Sequence, residues 1–176
     1  SSFLCAVAGI GFLTWYALYA KKNNGGKWTA SYSATYSLWY KKLQKKFVMW
    51  GLYCSATCFL YIWPAYVLSS GFWQSWIAVL SMMGIFVMGV FPSDKEALQT
   101  KIHCAAVQVS IWSTLLWVVL HGLSYWWILP IAFIPTFLPW LINKKTKKIP
   151  DGLIVEWSAF SAAFLWLATY SLTMLF

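Results

Sequence analysis

Six long apolar runs, separated by short polar stretches, limit what this chain can fold into more than any other feature does. They cover about residues 3–20, 47–68, 72–91, 102–121, 124–142 and 153–176. A helix needs about 20 mostly apolar residues to cross about 30 Å of hydrocarbon, and each run is close to that length. In lipid the backbone must satisfy its own hydrogen bonds, which leaves helices or a closed barrel. The many short alternating segments of a barrel are absent. The sequence therefore predicts an all-α fold, a six-transmembrane-helix bundle forming a single integral membrane domain over residues 1–176. Composition agrees, with 61% hydrophobic and only 10% charged residues. Soluble domains carry about 25% charged residues. The first run has no basic flank and no cleavage site, so it reads as a first crossing and not as a signal peptide.

Lysines set the orientation. All thirteen basic residues are lysines. With six crossings they fall entirely in the loops 21–46, 92–101 and 143–152, which share one side. Positive loops stay cytoplasmic, so both termini are expected on the non-cytoplasmic side, most simply of a cytoplasmic (inner) membrane. Arginine, the residue that reads bases and grips phosphates in a fork, is missing, and no nucleic-acid partner is expected. Trp63, Trp73, Trp76, Trp126 and Trp127 are placed at the outer boundary. Trp15, Tyr16, Tyr19, Trp50, Trp140 and Trp157 are placed at the inner one, as interfacial belts. Cys5, Cys54, Cys58 and Cys104 are expected as small buried packing residues, with Cys54 and Cys58 on one helix face. Gly84 and Gly89 permit close helix approach. Pro130, Pro135 and Pro139 predict a kinked fifth helix, read as packing more than as a gate.

Between these runs lie the polar groups. Residues 28–40 mix aromatics and hydroxyls without charge, which suits a surface helix or re-entrant segment at headgroup depth. Lys41, Lys42, Lys45 and Lys46 follow as a basic cluster that attracts anionic lipid. The stretch from Phe91 to His103 interrupts two apolar runs and contains Asp94, Glu96 and His103. Glu156 is the unusual acid, because it lies inside the last apolar run. Ionisable groups at that depth face a partner or a wet cavity. The ligand-binding candidates are therefore Asp94, His103 and Glu156, with Ser33, Thr35 and Tyr36 above them. Three readings of this cluster compete: a structural network, a site for a lipid headgroup, ion or small polar ligand, and a metal or hydrolytic site. His121 lies about 27 Å from His103 along a helix, so the pair cannot share one metal. No catalytic residue, metal or cofactor is assigned.

The segments Ser31-Tyr32-Ser33-Ala34-Thr35-Tyr36, Phe91-Pro92-Ser93-Asp94 and Ile102-His103 with Ala105-Ala106, together with Glu156, resemble the six-span membrane proteins of the damage-regulated autophagy modulator (DRAM), Frag and Sfk group and their bacterial relatives. Tyr32 stands where that motif has an aliphatic residue, and Ala30 where it has a proline. The resemblance implies a helical membrane protein with a role in membrane trafficking or lipid organisation, and it supplies no catalytic residues. The leading expectation is a non-enzymatic membrane protein whose cytoplasmic polar cluster stabilises the fold and engages lipid headgroups or a partner, alone or as a homo-oligomer. The alternatives are a small transporter or channel using Glu156 and His103, an accessory subunit of a larger membrane complex, and an intramembrane lipid hydrolase.

Overall fold

The computed structural model describes residues 2–43, 48–69, 71–91, 97–122, 125–127 and 129–173. Those residues form helices and turns, with no strand among them. Helix α1 is Ser2–Asn23. A short helix, α2, begins as Thr35–Ser37 and continues as the π-helical turn Leu38–Lys42. Helix α3 is Val48–Leu68, α4 is Phe72–Val90, α5 is Ala97–Gly122, α6 is Leu129–Thr146 and α7 is Asp151–Thr173. By length and apolar content α1, α3, α4, α5 and α7 are each able to cross a membrane.

Helix α6 differs from the expected fifth run. It starts at Leu129, not near residue 124, with Pro130 in the first turn, where a missing N–H costs nothing. Its apolar part ends at Ile142, before Asn143, Lys144 and Lys145. That leaves about 21 Å of apolar helix at 1.5 Å per residue, short of the usual hydrocarbon thickness. The helix continues through Pro135 and Pro139 without a break. The hydroxyl of Thr136 donates to the Ala132 carbonyl at 3.0 Å beside the first of them. In α3 the turn Cys58–Ile62 is π-helical and directly precedes Trp63 and Pro64. The wider turn accommodates a residue that has no N–H and whose ring crowds the preceding turn.

Helix α7 is the centre. Of its apolar window 72% is buried, against 28–39% for the other four candidate spans. Its sequence explains this, because Ser158, Ala159, Ser161, Ala162, Ala163 and Ala168 put small buried residues on every side. Helices α1, α5 and α6 pack against it, and α4 packs on α5. Side-chain bonds show that α3, α4 and α5 alternate in direction. Trp50 Nε1, at the start of α3, donates to the carbonyl of Gly89 at the end of α4. Trp117 Nε1, late in α5, donates to Ser69 Oγ just after α3. The outward faces keep Trp73, Phe86, Trp112 and Ile134 exposed, a surface suited to hydrocarbon and not to water.

Several aromatics and cysteines sit differently from expectation. Tyr16 and Trp50, expected at an interface, are buried in the core, while Trp63, Trp73, Trp76, Trp126 and Trp127 are exposed as a belt would be. Cys5, Cys54 and Cys58 are half-buried and Cys104 is exposed, because Cys104 sits on the outer face of α5. Cys54 and Cys58 do share a face, lining one groove between α3 and α4.

The α4–α5 seam depends on Gly84. A Cβ there would lie 2.8 Å from Ser110 N and 2.9 Å from the Ala106 carbonyl, both rigid backbone. Next to it the Ser81 and Thr114 hydroxyls bond across the seam at 2.6 Å. We expect Gly84→Val to cost about 1–3 kcal/mol through overpacking, read as a lower melting temperature in detergent. Gly51→Ala, which adds its methyl to open space within a helix, should leave the melt unchanged or raise it slightly. Equal melts for the two variants would refute the close seam.

Candidate functional site

Glu156 lies one turn into α7 and is buried. Its Oε2 accepts the backbone N–H of Tyr32 at 2.7 Å, and the backbone N–H of Ser33 faces the same carboxyl group. Both donors sit at the start of the turn that leads into α2, where N–H groups have no helical partner of their own. The turn is itself capped: Ala34 N–H donates to Ser31 Oγ at 3.0 Å, and Ser31 Oγ bonds Ser33 Oγ at 2.8 Å. Gly152 gives the segment room to approach. A Cβ at that position would meet the Ala30 carbonyl at 2.7 Å.

Behind this contact is a line of buried polar groups whose donor directions can be worked out. Thr35 Oγ1 has one proton, and it goes to the Tyr32 carbonyl at 2.6 Å. Tyr16 O–H must then donate to Thr35 Oγ1, at 2.7 Å, and itself accepts from Trp39 Nε1 at 2.8 Å. The Tyr32 carbonyl and the Ser33 N–H belong to one peptide unit. The line therefore runs from Trp39 through Tyr16 and Thr35 to the Tyr32 carbonyl, with every donor pointing toward the loop segment that the Glu156 carboxyl group holds. Bonds aligned this way polarise one another. Rings enclose them: Tyr16 and Tyr53 stack at 4.8 Å, and Tyr32 and Tyr53 at 5.2 Å. Burial, with the Glu156 carboxyl group nearby, pushes the Tyr32 phenol well above its ordinary value. It remains a donor, to the Leu13 carbonyl at 2.9 Å.

Of the expected site residues, Glu156, Ser33 and Thr35 thus belong to one network, Ser33 through its backbone. Tyr36 is nearby but not on the carboxyl group; its ring stacks on Tyr40 at 5.0 Å and meets Trp50 edge-on. His103 is buried, and its Nδ1 donates to the Phe91 carbonyl at 2.8 Å, fastening the start of α5 to the end of α4. Among the described residues no hydrogen bond or ion pair joins His103 to Glu156. Asp94 lies outside the described residues, as do Glu96, Lys45 and Lys46. The described residues contain no group of three or more His, Cys, Asp or Glu able to hold a metal. His121 is at the opposite end. It accepts from Trp166 Nε1 at 3.0 Å on Nδ1 and donates from Nε2 to the Leu68 carbonyl at 3.2 Å, stacked under Trp117.

Sequence reasoning missed Tyr16, Tyr32, Trp39 and Asn143. The side chain of Asn143 grips Ile149 at both ends, donating to its carbonyl at 2.7 Å and accepting its N–H at 2.9 Å. Lys147 takes a left-handed conformation (φ 48°) and returns its N–H to the Asn143 carbonyl, closing α6. This fixed turn faces the α1–α2 loop. Between them is an open basic groove lined by Lys21, Lys27, Lys147 and Lys148, with Asp151 as its acid. Beneath it a crevice of about 240 Å³ lies between α1, α6 and α7.

No family model matches the chain. No curated protein matches it, and no solved structure matches it.

Removing the Glu156 carboxyl group strands the buried N–H of Tyr32, which costs roughly 1–3 kcal/mol. Glu156→Ala should therefore lower stability by about 1–3 kcal/mol and expose residues 28–34 to protease while α4–α5 stays resistant. Thr35→Val should lose about 1–2 kcal/mol by breaking the line at one hydroxyl. A Glu156→Ala chain as stable and protease-resistant as the parent would mean that the carboxyl group does not hold the loop.

Proposed function

We propose that this chain is a non-enzymatic, six-crossing membrane protein of the cytoplasmic (inner) membrane, with its lysine-bearing loops in the cytoplasm and both termini on the other side. Its polar cluster is a lock that holds the long first loop against the central helix, so that the loop presents a fixed basic surface to anionic lipid headgroups. The observation that carries this reading is the use of Glu156. Glu156, the acid inside the apolar part of α7, is spent on the backbone of Tyr32, which favours a structural role over a transported ion or a reacting group. The bond also joins two of the segments that carry the resemblance to the DRAM, Frag and Sfk group, Ser31–Tyr36 and Glu156, which supports treating them as one unit.

Lysines of the α1–α2 loop and of the α6–α7 turn line a common groove, which supports one shared compartment for them. Helix α6 then makes the sixth crossing despite its short apolar part, helped by local thinning of the bilayer. In a cysteine-free background, Lys27→Cys and Lys148→Cys should both resist an impermeant maleimide in intact cells and react after lysis, whereas Tyr125→Cys should react in intact cells. Labelling of all three from the same side would sink both the sixth crossing and the orientation.

A further inference from the structure

Resting on that reading, we infer that the chain holds one anionic phospholipid in a two-part site at the junction of α1, α6 and α7, with its phosphate in the lysine groove and part of an acyl chain in the crevice beneath. The two cavities are continuous, because Trp28 and Ile149 line both. Above that boundary Lys21 from the last turn of α1, Lys27 from the loop after it, and Lys147 and Lys148 from the α6–α7 turn converge on a single acid, Asp151, whose Oδ1 is 3.5 Å from Asn143 Nδ2. The Lys21 ammonium is also held 4.3 Å above the Trp28 ring. Four cations against one carboxylate leave the groove with a net positive field, and an anion relieves it. The loops that bring these charges together are both fastened from below, one by Glu156 and the other by Asn143, so the arrangement exists before any ligand arrives.

Below the boundary the chemistry changes. Leu18, Pro139, Ile149, Leu153 and Trp157 offer hydrocarbon and ring faces. The few polar atoms in the wall are already engaged. Thr14 Oγ1 donates to the Ile10 carbonyl and accepts from Trp157 Nε1 at 3.3 Å, and the Tyr32 hydroxyl goes to Leu13. A polar ligand would gain nothing there, while an acyl chain loses no hydrogen bonds by entering. At about 240 Å³ the crevice is smaller than the roughly 300–1,000 Å³ of a drug-sized pocket, which suits a stretch of methylenes. Leu18 at its mouth is half-exposed on the outward face of α1, so a lipid can slide in from the bilayer. A soluble phosphate compound or an acidic peptide would use the groove and leave the crevice idle. A phospholipid uses both.

The test is native mass spectrometry of the full delipidated chain titrated with phosphatidylglycerol, phosphatidylcholine or glycerol 3-phosphate. The parent should retain one phosphatidylglycerol in preference to phosphatidylcholine and bind glycerol 3-phosphate far more weakly. Lys27→Gln with Lys148→Gln should weaken phosphatidylglycerol binding about thirtyfold. The matched pair Lys101→Gln with Lys145→Gln, also exposed lysines, should change it less than about threefold. Leu18→Trp, which narrows the crevice mouth, should weaken phosphatidylglycerol and leave glycerol 3-phosphate unaffected. Equal losses from the two lysine pairs would overturn the site while leaving the general basic surface standing. Glycerol 3-phosphate binding as tightly as the lipid, or Leu18→Trp binding like the parent, would overturn the crevice. No preference of the parent for phosphatidylglycerol over phosphatidylcholine would remove the proposed lipid engagement altogether.

Discussion

The bond between a side-chain carboxyl group on the central helix and the backbone of the first loop is the interaction on which the lysine-bearing end depends. It answers two needs at once. An acid inside an apolar run needs donors, and the first N–H groups of a turn entering a helix need acceptors. Glu156 and the Tyr32–Ser33 backbone meet both. The supporting line through Thr35, Tyr16 and Trp39 ties the same peptide to α1 and α2. A buried polar network of this kind stabilises only when it is complete, and here each of these groups has its partner.

The two ends of the bundle are held differently. At the far end His121 is bonded on both ring nitrogens and enclosed by Trp117, Trp166 and Tyr170, so that α5 and α7 are locked side chain to side chain and to the end of α3. At the lysine end the locking groups reach backbone: Glu156 holds Tyr32, Asn143 holds Ile149, and His103 holds Phe91. Backbone anchoring fixes a loop's path while leaving its outer side chains free to carry charge. This suits an end whose loops bear the lysines, whereas the far end has only short turns to organise.

Much of the fold was legible because apolar runs and turn residues report it directly. The order of the long helices and the close α4–α5 approach at Gly84 follow from the runs and from a small residue at a seam. The start of α6 was misread because the Tyr125–Trp127 stretch is as apolar as a helix while Pro130 sets the first turn. Glu156 stood out as an acid inside an apolar run, and the structure puts Thr35 and the Ser33 backbone in the network around it. Its actual partner could not be read, because a backbone N–H has no sequence signature. Tyr16 shows the same limit from another side. A tyrosine near the end of a span has one composition whether it snorkels at the interface or, as here, sits in the core with its hydroxyl bonded. Asn143, just past an apolar run, looks like any helix-ending polar residue until Ile149 is seen between its two amide atoms.

The depth of the basic groove follows from the rings around it. Lys21 lies over Trp28, and Lys144 lies over Trp140 at 4.1 Å. In the proposed orientation, indoles of this kind settle at headgroup level, with the ring toward the hydrocarbon and the cation toward water. One of these pairs lies on the α1 side of the groove and the other at the end of α6, so both flanks point to the same depth. Helix α6 adds a constraint of its own. Its apolar part stops at Ile142, and after one more helical turn, which includes Asn143, the chain reverses at the left-handed Lys147 into the groove wall. A longer α6 would carry Lys147 and Lys148 out into water, away from Lys21 and Lys27. The short sixth helix and the convergence of four lysines are therefore one feature of the chain: ending α6 early is what brings the second loop's charge down to the level of the first.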